Sequence, residues 1–93
     1  PWIQWVTAHT GLTFAQHGVF RLGDIIEHDY EQIWEWLEQR GITVAATSPM
    51  NASNRTKDAA FFVPDPWTDT AVTGNATIKA LAYAVSQAVN ENA

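Results

Sequence analysis

Three short stretches of this chain carry residue types that do chemistry. Glu27-His28-Asp29 sets an imidazole between two carboxylates, a mix suited to acid–base or metal work. Adjacent side chains cannot all face one ion, so a solvated loop accounts for the triplet at least as well. Asp65, Trp67 and Asp69 combine an aromatic plate with acids, as carbohydrate sites do. Pro64 and Pro66 make a plain turn an equal explanation. Asn51 stands in a polar loop after a segment that reads as a buried strand, and α/β sheets bind ligands at the carboxyl ends of their strands. It is therefore a candidate for lining a pocket, against the alternative of an ordinary turn former. The chain has no Ser-His-Asp order, no glycine-rich phosphate loop and no metal-binding His-x-x-Glu helix.

The elements that must position these residues follow from periodicity. Trp2, Ile3, Trp5, Val6 and His9 recur at helical spacing and Gly11 follows as a stop, which predicts a helix over 2–10. Residues 11–29 read as an extended loop with one short turn or helix near Asp24–Glu27. Asp29-x-x-Gln32 has the form of a capping box; Tyr30, Ile33, Trp34 and Leu37 then share one apolar face, and Arg40-Gly41 closes the helix. Residues 42–47 are β-branched or small and predict a buried strand. A loop over 49–58 leads to a second strand over 59–63, stopped by Pro64-Asp65-Pro66. Asn75 or Thr73 caps a last helix with an apolar stripe of Ile78, Leu81, Val85 and Val89. A helix running through one glycine into a strand is an αβ unit, so the expected class is α/β: part of a layered sheet flanked by helices, with few strands of its own. Two strands leave unpaired sheet edges.

Composition narrows the function classes. Ninety-three residues make at most one small domain with little stability to spare. Five Trp imply a core or interface larger than these residues alone would fill. Together with a Pro followed at once by aromatic residues, this predicts that residues 1–93 are a partial domain of a larger catalytic unit, completed by the rest of its own chain or by a partner chain. The net charge of −5 argues against nucleic acid as a partner and offers no polybasic handle for a membrane surface. With no Cys, disulfides and thiolate metal sites are excluded. Asn51, Asn54 and Asn75 each begin an Asn-x-Ser/Thr triplet, but helix capping is the better account of Asn75.

Thr10-Gly11 followed by His17-Gly18-Val19, with Trp5 before them, resembles the alkaline phosphatase superfamily in its phosphodiesterase, nucleotide pyrophosphatase and sulfatase-like branches. Ile33-Trp-Glu-Trp-Leu37, Gly41-Ile-Thr-Val44 and Ser48-Pro-Met-Asn51 look like that family's next unit, so the resemblance spans roughly residues 2–67. It implies a metal-dependent phosphoester or sulfoester hydrolase with a small-molecule ester as substrate and two divalent metal ions, zinc foremost, in the parent protein. The family's nucleophile is a Ser or Thr at a helix start about nine residues before the Thr-Gly. Here that place falls at or just before Pro1, which has no hydroxyl. No catalytic residue and no metal ligand therefore carries over, and the isolated chain is expected to be inactive. Gln4 falls near where some members hold a phosphoryl oxygen with an amide. Gln4, Trp5 and Asn51 are the candidate substrate-binding residues. The alternative is a non-catalytic carbohydrate-binding or protein-interaction module that uses the Trp and acidic residues.

Overall fold

In the computed structural model, which describes residues 2–91, the chain runs through four α-helices, a 3-10 turn and two strands. Helix α1 is Trp2–Thr10, as its spacing predicts, and it ends where Gly11 at φ 75° donates its N–H to the Thr7 carbonyl at 2.8 Å. The Thr10 hydroxyl folds back onto the Val6 carbonyl at 2.7 Å, closing the same turn. A one-turn helix α2, Phe14–His17, lies inside the segment read as loop. Its signal is a short capping box between Thr13 and Gln16, with Gly18 left-handed at the far end. A 3-10 turn at Asp24–Glu27 falls where a turn is expected.

Helix α3 spans Ile33–Glu38 and starts later than its sequence signature. Gln32, not Asp29, is the N-cap residue. The Gln32 side chain is buried and exchanges two hydrogen bonds with the Ser53 backbone, donating to its carbonyl at 2.8 Å and accepting from its N–H at 3.0 Å. Those bonds hold Gln32 extended, so the helix begins after it. Asp29 is instead an exposed partner of Arg55 at 3.3 Å. The apolar face is also less covered than expected: Ile33 lies open, while Glu35, outside that face, is buried.

Strands β1, Ala45–Thr47, and β2, Phe61–Val63, pair in parallel with Ala45 opposite Phe61. The chain is therefore α/β, with a small parallel sheet flanked by helices. β1 is shorter than residues 42–47 because Gly41, at φ 78°, turns the chain and Ile42 emerges half exposed. The far edge of β2 is closed by Thr73, which exchanges two backbone bonds with Phe62 at 2.8 and 3.0 Å. Two small apolar clusters form the core: Val6, Val19 and Ile25 with Tyr30, and Ala46, Ala52 and Phe62 with Trp34. Trp2, Trp5, Trp36 and Trp67 remain between 38% and 53% exposed, so most of the indole surface contributes to neither cluster.

Helix α4, Ala76–Glu91, is capped as expected: the Asn75 side-chain oxygen accepts the Ile78 N–H at 2.9 Å. Its stripe is only partly covered, since Leu81 and Val85 are 62% and 49% exposed. Gly74 before it, at φ 155°, cannot be replaced cheaply, because a Cβ there would lie 2.8 Å from the Ile78 side chain. With little tertiary cover, the helix depends on its cap. Asn75→Ala is expected to cost about 1 kcal/mol and to lower helical circular dichroism, measured across a urea titration.

Candidate functional site

The strongest convergence of polar side chains lies where the loop after β1 meets α1 and the loop after β2. Asn51 is fully buried and left-handed at φ 53°, a conformation Asn tolerates better than other non-glycine residues. Its Oδ1 accepts the Gly23 N–H at 2.9 Å and its Nδ2 donates to the Trp2 carbonyl at 3.3 Å. Its own N–H donates to Asp65 Oδ2 at 2.8 Å. Asp65 is buried and accepts twice more, from the Trp67 N–H on Oδ1 at 2.9 Å and from the Thr68 hydroxyl on Oδ2 at 2.7 Å. The carboxyl end of β1 is thus fastened to the first turn of α1.

The three residues singled out from the sequence are not brought together. Asn51 faces inward as a joint between segments. Gln4 and Trp5 stand exposed on α1, Trp5 stacked on His9 with ring centres 6.2 Å apart. None of the three lines a cleft described below. His9 was not marked by sequence reasoning, yet it carries the second tie between α1 and the loop: its Nε2–H donates to the Met50 carbonyl at 3.0 Å, and its ring tilts against Trp34 at 5.0 Å. Asp65, which the sequence offers as a sugar ligand, spends its oxygens on three hydrogen bonds within the fold. The signal for that role is Asp-Pro-Trp-Thr, in which the Asp side chain bonds the backbone two residues on and the Thr hydroxyl folds back onto it.

Neither a protein-family model, a curated protein nor a solved structure matches this chain. The site must be read from its own geometry. The expected nucleophile position at Pro1 lies outside the described residues. Among the described residues no three His, Asp or Glu side chains gather to hold a metal ion. His28 in the Glu27-His28-Asp29 triplet stacks on Tyr30 with ring centres 5.3 Å apart.

His17 orders the turn after α2. Its Nδ1 accepts the Val19 N–H at 2.9 Å, which leaves the proton on Nε2 to donate to the Thr7 hydroxyl at 3.1 Å. Burial, with the nearby His28 charge adding to it, lowers the His17 pKa below the usual 6.5. Burial lowers that of His9 as well, against a smaller raising effect of the Met50 carbonyl. Glu35 moves the other way: burial raises its pKa, opposed by the hydrogen bond it accepts from Gln32 at 3.1 Å. Its second oxygen and the Ser53 hydroxyl are buried with no partner among the described residues.

Two tests follow from these bonds. Asp65→Asn keeps the shape but turns an acceptor into a donor facing the Asn51 N–H or, with the amide reversed, the Trp67 N–H. A loss of about 2–3 kcal/mol in chemical denaturation is expected. Lowered histidine values mean that the unfolded chain binds protons from about pH 6.5 downward while the folded chain resists them. Their stabilisation is complete above that pH and is lost as pH falls through the lowered folded values. Urea midpoints should therefore fall on acidification from neutral pH. The Glu35→Gln background gives the cleaner measurement, because it removes a carboxyl titrating in the opposite sense.

Proposed function

We propose that this chain is part of a metal-dependent phosphoester or sulfoester hydrolase of the alkaline phosphatase kind. The observation that carries the reading is the docking of the loop after β1 onto the first turn of α1, through Asn51 Nδ2 and the Trp2 carbonyl. In α/β folds ligands sit at strand carboxyl ends, and a helix start offers free N–H groups and a positive dipole end to an anionic ester. A nine-residue helix is long enough to present both. The Thr10 and Gly11 closure of α1 and the His17-fixed turn behind it hold that helix in place. This agrees with the Thr-Gly and His-Gly frame from which the resemblance arises.

In this reading the chain contributes the frame of the site. Gln4 and Trp5, exposed near the start of α1, are the residues within reach of a substrate bound at the helix end, and Asn51 positions the helix. The nucleophile and the two divalent ions are supplied by residues outside the described set. The complete product of the gene should then hydrolyse p-nitrophenyl phosphate, bis(p-nitrophenyl) phosphate or p-nitrophenyl sulfate, with turnover abolished by EDTA and restored by zinc. The 93-residue chain alone should hydrolyse none of them. Turnover indifferent to chelation, or no turnover of any of the three by the complete product, overturns the proposal.

A further inference from the structure

The largest cleft described in the molecule, about 650 Å³, lies between the loop after β2 and helix α4, and no α1 residue lines it. Trp67 and Tyr83 line it, 53% and 67% exposed. Neither ring stacks on another among the described residues, and the indole N–H and phenol hydroxyl have no hydrogen-bond partner there. Trp67 does not lie open because its loop is loose. Its N–H is held by Asp65, Thr68 is tied to the same carboxylate through its hydroxyl, and the Trp67 carbonyl packs close over Gly23. A large apolar ring is thus held in water by a rigid, internally bonded turn. Asp69 and Lys79 line the same cleft with side chains unpaired among the described residues, and Asn90 with Ser86 adds an amide and a hydroxyl at the far end.

We infer that this cleft binds a neutral saccharide. Flat, exposed aromatic rings match the C–H faces of a pyranose, and the surrounding carboxylate, ammonium, amide and hydroxyl groups match its ring of hydroxyls. Asp69 and Lys79 offset one another, the third charged residue of the lining, Asp65, is buried and met by its own hydrogen bonds, and the chain as a whole is acidic, with net charge −5. An anionic ligand such as a nucleotide would find one ammonium, that of Lys79, offset by the Asp69 carboxylate, with Asp65 a second acid in the lining. A purely apolar ligand would leave that same pair and the amide unpaired. The binding residues are separate from Gln4, Trp5 and Asn51, so the inference does not depend on the hydrolase reading.

The test is isothermal titration of the 93-residue protein with cellohexaose, chitohexaose, xylohexaose and mannohexaose, and with AMP as the anionic aromatic comparison. Saturable binding of at least one of the four saccharides is expected, weakened about tenfold or more by Trp67→Ala and by Tyr83→Ala, roughly the worth of one aromatic contact. Trp36→Ala, an exposed Trp stacked under Arg40 and outside the cleft, should leave affinity unchanged. Circular dichroism of each variant separates loss of the ring from loss of the fold. Should Tyr83→Ala unfold α4, Tyr83→Phe, which removes only the hydroxyl, should retain most of the binding. No saturation by any of the four saccharides, binding untouched by Trp67→Ala in a folded protein, or binding of AMP alone each overturns the inference.

Discussion

The carboxylate of Asp65 is the constraint on which the other contacts rest. Buried between the two loops that leave the sheet, it accepts hydrogen bonds from the Asn51 and Trp67 backbones and from the Thr68 hydroxyl. A buried charge is costly unless its lone pairs are met, and three donors meet it here. Through Asn51 the same node reaches Gly23 and the first turn of α1, segments far apart in sequence. The apolar clusters around Val6 and Phe62 are small, so polar bonds of this kind carry much of the work of joining the pieces.

Elements built on local signals were legible in the sequence. Gly11 ends α1 and Asn75 starts α4, because each depends on neighbours a few residues away. The start of α3 was not legible. A capping-box pattern at Asp29 lost to the bonds between Gln32 and Ser53, twenty-one positions apart in the chain. The polar joint was hidden for the same reason. Asn51 and Asp65 look like turn residues, and both do sit in turns. What makes them structural is the bond between their loops, which no periodicity encodes. His9 read as one more residue on a helix face because its partner, Met50, lies across the molecule.

The exposed indoles divide into two kinds. Trp36 is shielded on one face by the Arg40 guanidinium, 3.5 Å from the ring centre, and Trp5 lies along His9. These rings have local neighbours that account for their position. Neither Trp2 nor Trp67 has such a neighbour among the described residues, and the turn that carries Trp67 is closed by bonds to the Asp65 carboxylate. Contacts built around an aromatic ring usually bury it. Here the bonds around Asp65 hold the backbone and leave the ring outside.

Helix α4 packs chiefly on β2, with Leu81, Tyr83 and Val85 open to water. A sixteen-residue helix is only marginal in water without tertiary support. Few buried apolar contacts hold it, which is the condition under which a segment opens locally. One wall of the cleft beside Trp67 is this helix, while the other is the Asp65-anchored turn. Any molecule that spans the two walls must spend part of its contact energy on keeping the helix folded. The coupling runs both ways: occupancy slows exchange along α4, and whatever strengthens α4 raises affinity at the cleft.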